Sequence, residues 1–211
     1  MDFEEEVSQP KLIFALEGPI GVGKSSVLRE LQDTHNCRIY PEPVEKWEPA
    51  LTKFYMERTA QSAIKLQELI GDTLEIRHGE IRTNDDGEQP IVMERSLYSG
   101  LRVFTHINSK IYPSSGWDKV YQNYCEAFKL LEGNGICRIG LQHDSFYELC
   151  RRTGQRGVNM PEAFATTRYL KEVYDQCTSF QDDCHFVVNV TNKTPKEIGD
   201  EVIVIINNEL K

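Results

Sequence analysis

The chain has 211 residues, 39% hydrophobic and 27% charged, which suits one domain with a buried core. Its 33 acidic residues outnumber 24 basic ones, and the formal net charge of -9 argues against a nucleic-acid partner, because phosphate backbones demand basic surface. No apolar run approaches the ~18 residues of a membrane span, and the acidic start Met1-Asp2-Phe3-Glu4-Glu5-Glu6 is neither a secretory signal nor an Arg-rich transit peptide, so a cytoplasmic chain is expected.

Residues 1–10 read as a disordered acidic lead and 11–211 as a single domain. Leu12–Leu16 is an unbroken apolar strand of the kind that lies at the centre of a parallel sheet. It runs into Gly18-Pro19-Ile20-Gly21-Val22-Gly23-Lys24-Ser25-Ser26 and then a helix to about Gln32. Strand, glycine loop and helix are the context of a phosphate-binding loop. Gly18, Gly21, Val22, Gly23 and Ser26 would turn backbone N–H groups toward phosphate oxygens. Lys24 would reach the β- and γ-phosphates, and the Ser25 hydroxyl would face magnesium. A second short strand, Arg38–Tyr40, exits through Pro41-Glu42-Pro43, which forbids helix. Glu42 at a strand end can take the proton of an attacking hydroxyl or orient it; a surface glutamate in a turn is the plainer alternative.

From about Leu51 to Arg82 the spacing of Leu66, Ile70, Thr73, Arg77 and Ile81 predicts one long helix. On it Gln61, Ile64 and Glu68 share a face that reads most simply as solvated. After a polar turn at 83–88, Ile91–Met93 is a third strand, and Glu94 at its end is placed to hold magnesium beside the phosphate loop. Helices follow over Tyr98–Ile107 and Trp117–Leu131, with a break at Tyr112–Gly116. A fourth strand, Ile136–Leu141, leads to a helix from about Ser145 and to Arg151, Arg152 and Arg156 around Gly154 and Gly157. That cluster suggests a mobile flap closing positive charge over a transferring phosphoryl group. Pro161 opens a further helix to about Phe180, and Phe186–Val190 is a fifth strand. The β-branched tail Val202–Ile206 is predicted as helix, because Thr194-Pro195-Lys196-Glu197 combines an N-cap, a proline at the first turn and a capping-box glutamate. The five histidines have no metal-ligand spacing, and the six cysteines, without any CxxC pair, are expected to be free and mostly buried. The whole predicts a P-loop NTPase-like α/β fold: a five-stranded parallel sheet with helices on both faces and a short Arg-containing lid. Ligands of such sheets lie at the carboxyl ends of the strands.

The segments Gly18–Ser26, Glu42-Pro43-Val44-Glu45-Lys46-Trp47 and Glu94-Arg95-Ser96-Leu97-Tyr98-Ser99 resemble the deoxynucleoside kinase family of insects, animal mitochondria and some viruses. The resemblance spans about residues 11–206. It implies ATP and Mg2+, a deoxynucleoside acceptor and a homodimer. It implies that Glu42 is the base for the nucleoside 5′-hydroxyl, with Arg95 as its clamp, and that Ser25 and Glu94 are the magnesium partners. Gln61 would be the base-reading glutamine, Phe104 the stacking aromatic, and Trp47 and Ile20 pocket walls. Tyr55 would stand near the sugar 3′-hydroxyl, a match that needs a deletion between residues 55 and 61 relative to the family.

Three departures bear on the acceptor. Purine- and deoxycytidine-preferring members carry an arginine seven residues after the glutamine and an aspartate six after the Glu of Glu-Arg-Ser; here Glu68 and Gly100 stand there. A small Gly100 would leave room near a thymine methyl, so thymidine is expected, with deoxycytidine second. In the lid, Arg152 and Arg156 would still meet the donor phosphates, but the family's 3′-hydroxyl glutamate is missing from Arg152–Val158. A nucleoside monophosphate kinase such as a thymidylate kinase, and a non-catalytic nucleotide-gated module, remain the alternatives.

Overall fold

In the computed structural model the described residues are 12–83, 88–131, 135–155 and 165–211. The acidic lead, most of the turn at 83–88, Arg156, Gly157 and the Pro161 helix start lie outside them.

Five parallel strands form one sheet in the order β2-β3-β1-β4-β5: β1 (Ile13–Glu17), β2 (Arg38–Tyr40), β3 (Ile91–Glu94), β4 (Ile136–Gln142) and β5 (Phe186–Asn189). The register pairs Leu16 with Glu94 and with Ile139, so the ends of β1, β3 and β4 share a rim. All of β1 is buried because helices cover both faces. Phe14 and Leu16 point into a core with Val27, Leu28 and Leu31 of α1 (Lys24–His35) and with Ile198, Val202 and Ile206 of the last helix. Ile13 and Ala15 face the other way, toward Ile81.

The predicted long helix is two. Helix α2 (Val44–Glu57) begins directly after Pro43, and α3 (Ala60–Thr83) follows a break at Arg58, whose backbone is left-handed at φ 52. Arg58 caps α2, its N–H donating to Phe54 O, a C-terminal device usually built from glycine. The helix predicted over Tyr98–Ile107 divides into α4 (Leu97–Ser99), a π-helical turn (Gly100–Thr105) and α5 (His106–Ile111). Helices α6 (Trp117–Leu131) and α8 (Thr167–Phe180) complete a helical layer around Trp47, Phe54, Leu66, Tyr124 and Tyr169, while α7 (Phe146–Gln155) packs on the sheet core through Leu149. The tail is helix α9 (Pro195–Glu209) with both hydrogen bonds of the Thr194–Glu197 capping box. All six cysteines are free thiols; Cys125 alone is exposed. Among the described residues no helix is long and apolar enough to cross a membrane.

Candidate active site

The loop between β1 and α1 is built where only glycine fits. Gly21 has φ +84, and a Cβ there would come within 2.7 Å of Thr153 Oγ1 and 2.8 Å of Leu149 O, so α7 packs directly on the loop. Gly23, at φ +106, opens α1, and a Cβ there would meet nothing within 4 Å, so the loop's inner side is open. Lys24 is 5% exposed; its Nζ donates to Pro19 O (3.2 Å) and lies 3.9 Å from Glu94. Burial first, and then Arg95, pull the Lys24 pKa down to about 8 against the attraction of Glu94 and Glu42.

Glu94 ends β3 beside this loop. Ser25 Oγ stands 3.2 Å from each of its carboxylate oxygens. A hydroxyl and a carboxylate converging from a P-loop and a strand end are hard oxygen donors of the type magnesium takes. Arg95 follows with a left-handed backbone (φ 61), uncommon outside glycine and characteristic of functional turns. Three contacts hold the turn: Arg95 N donates to Leu16 O (3.1 Å), Ser96 N to Glu17 Oε1 (2.9 Å), and Ser96 Oγ to the same oxygen (2.5 Å). The guanidinium is thereby fixed. Nη1 donates to Gly18 O (3.0 Å), Nε pairs with Glu42 at 2.7 Å, and Cζ lies 4.6 Å from the centre of the Phe104 ring. Burial raises the Glu42 pKa, with Arg95 pulling the other way and Glu94 adding to the rise. A carboxylate so placed can accept a proton from a hydroxyl brought to the rim.

A pocket opens beside the Glu42–Arg95 pair. Ile20, Trp47, Tyr55, Gly100 and Phe104 line it as predicted from sequence, together with Leu51, Gln67, Leu74, Ser99 and Tyr169. Three predicted substrate residues do not. Gln61 is exposed at the start of α3, because it lies off the buried stripe of that helix. Ile64 is turned to the α5–α6 loop, its side chain 2.8 Å from the Cβ that Gly116 lacks. Glu68 faces away from the cavity and reaches Lys119 at 4.0 Å. The amide in the cavity is Gln67, 1% exposed, near the hydroxyls of Thr105 (3.5 Å) and Tyr124 (3.4 Å). Gln67 continues the stripe of Ala63, Ile70 and Leu74 at helical spacing, which is the sequence signal that singles it out. Position seven after Gln67 is Leu74, buried and apolar, rather than Glu68.

The predicted flap lies only partly within the described residues. Arg151 and Arg152 lie in the C-terminal half of α7, beside Thr153, and both donate to Glu148 (2.7 and 2.9 Å). Arg156 is outside the described residues. Gly100 does not leave free room behind it: the Tyr124 ring occupies that space.

A family model described as deoxynucleoside kinase matches residues 14–202. The chain is 25% identical over 212 aligned residues to the thymidine kinase of Ictalurid herpesvirus 1 (strain Auburn), covering 92% of this chain and 86% of that protein. It is 24% identical over 197 residues to protein 029R of Invertebrate iridescent virus 3, named as a candidate kinase, covering 78% and 97% respectively.

Proposed function

This chain belongs to the deoxynucleoside kinase family, and from that premise we propose that it transfers the γ-phosphate of ATP to the 5′-hydroxyl of thymidine, with deoxycytidine as a second acceptor. The observation that carries the base assignment is the cavity around Gln67, where both polar partners of the purine- and deoxycytidine-preferring members are replaced, by Leu74 and Gly100. An amide flanked by apolar walls can accept from thymine N3–H and donate to O4, and it has no second charged group to satisfy. The viral relative named thymidine kinase points the same way.

In this reading Gly18–Ser26 cradles the donor phosphates through its backbone N–H groups, and Lys24 offsets the charge that builds on the β- and γ-oxygens. Ser25 and Glu94 would hold Mg2+, which would offset negative charge on the donor phosphates. Glu42 takes the 5′-hydroxyl proton, and Arg95, held by Gly18 O and Glu42, keeps that carboxylate ionised and aimed. Phe104 and Trp47 sandwich the base, and Tyr55 and Tyr169 flank the sugar. Arg152, near the end of α7, would meet the donor phosphates, as would Arg156. A thymidylate kinase would need free positive charge at the acceptor end, whereas Arg95 is already paired with Glu42. The homodimer belongs to the same proposal and is tested by light scattering.

The deciding experiment is a phosphorylation panel. Thymidine, deoxycytidine, deoxyadenosine, deoxyguanosine, uridine and thymidine monophosphate are each supplied with ATP and magnesium, and ADP release is followed. Thymidine is expected to give the highest kcat/KM. Preference for the monophosphate, or for a purine, overturns the assignment.

A further inference from the structure

A second, smaller pocket adjoins the first, and Gln67 lines both. Tyr124, from α6, lines only the second. It is 2% exposed and wedged between two glycines on different elements. A Cβ on Gly100 of the π-helical turn would come within 2.7 Å of its Cε1, and a Cβ on Gly71 of α3 within 3.3 Å of its Cε2 and Cζ. One ring fills the slot that two missing side chains leave. Its hydroxyl donates to the backbone carbonyl of Gln67 (3.2 Å) and lies 3.4 Å from that residue's Oε1. Gly100 therefore forms a thin wall of the base cavity, and the phenol ring is what stands directly behind it.

We infer that Tyr124 is a positioning residue that sets the depth of the base cavity and steadies Gln67, and so confines the acceptor to a pyrimidine. This rests on the reading of the larger cavity as the base site. A purine carries a second fused ring that must extend past the Watson–Crick edge region or shift the whole nucleoside outward from Glu42. With the Tyr124 ring in place the space behind Gln67 and Gly100 is closed. With a shorter side chain the two cavities join, and well-packed neighbours on α3 and α6 hold the opening rather than collapse into it. The phenol hydroxyl has a separate part: it ties the Gln67 backbone and amide to α6, so the amide meets the base without first being ordered.

The test uses the purified full chain as wild type, Tyr124→Leu and Tyr124→Phe, with ATP, magnesium and the four deoxynucleosides. Tyr124→Leu is expected to raise the purine-to-thymidine ratio of kcat/KM at least tenfold. Tyr124→Phe keeps the ring, so the ratio is expected to stay put while thymidine KM rises about fivefold, the usual size of one lost hydrogen bond, with kcat little changed. A residue that merely packs would lower all four acceptors in parallel. An unchanged ratio in folded Tyr124→Leu, checked by circular dichroism, overturns the inference. Should that variant not fold, an unchanged thymidine KM in Tyr124→Phe overturns it. Wild type that uses purines as well as thymidine also overturns it while leaving the kinase standing. Wild type that uses no pyrimidine overturns the base assignment instead.

Discussion

As the proposed base, Glu42 has to be ionised next to Glu94 and largely out of water, and each condition works against it. The compensation is the 2.7 Å pair with Arg95, itself held by Gly18 O and stacked on Phe104. Such a carboxylate is a stronger base than a solvated one. Glu42→Gln keeps the shape and removes the base, so turnover should fall ~10²-fold or more while thymidine still binds, as read by single-turnover kinetics and equilibrium binding. Near-normal turnover would sink the role. Because burial raises the Glu42 pKa, the acid limb of kcat/KM should lie above the range of an ordinary carboxylate: protonation on the way down in pH removes the base early. The same scale separates the two glutamines. Gln67→Ala should lower thymidine kcat/KM by about 10–100-fold, the cost of one or two unmade hydrogen bonds in a closed cavity, while Gln61→Ala, exposed, should stay within about twofold. Equal losses would argue that α3 reaches the base by another face.

At the scale of elements, what was legible in the sequence was what is written locally. The phosphate loop, the strand ends at Glu42 and Glu94, and the Thr194–Glu197 capping box all depend on residues within a few positions, and the structure carries them as expected. The break between α2 and α3 was not legible, because Arg58 is a poor candidate for a left-handed cap and its conformation is set by packing around Phe54 and Tyr55. Nor was the π-helical turn, whose extra residue places Gly100 against Tyr124 from a distant helix. The resemblance implies Gln61 as the base-reading glutamine, whereas the helical period of α3 places Gln67 on the buried stripe. The element that most constrains the site is the three-residue α4. Ser96 accepts from Ser99 N and donates to Glu17, which is fully buried. Removing the hydroxyl strips both the cap and one of the donors that reach Glu17 Oε1. Ser96→Ala should therefore cost about 2–4 kcal/mol in denaturant unfolding, more than an exposed cap alone. A loss under ~0.5 kcal/mol would show that α4 does not depend on this hinge.

For the molecule as a whole, the site lies where two cores meet. The sheet with α1, α7 and α9 supplies the proposed phosphate loop, and the helical layer supplies most of the cavity proposed for the base. Ligands bridging both should stabilise the whole fold, by roughly 2.7 kcal/mol at a hundredfold excess over Kd. The size of that gain should depend on pH through Lys24. In the free protein its pKa is about 8, whereas the unfolded chain returns it to the ordinary lysine range near ~10.4. The unfolded state thus binds more protons between these values, so the Lys24 contribution to free-protein stability rises with pH there. Triphosphate acts in the opposite sense. Its negative charge favours protonated Lys24, so binding above pH ~8 takes up a proton and weakens as pH climbs, by at most tenfold per unit. The nucleotide-induced rise in Tm should accordingly be steady below pH 8 and shrink from pH 8 to 9.5, and titration calorimetry at pH 8.5 in buffers of different ionisation enthalpy should register net proton uptake. A Tm increment that stays constant across pH 7–9.5, with no proton uptake, would mean that Lys24 remains charged in the free protein and that its burial beside Arg95 is compensated by Glu94 and Glu42.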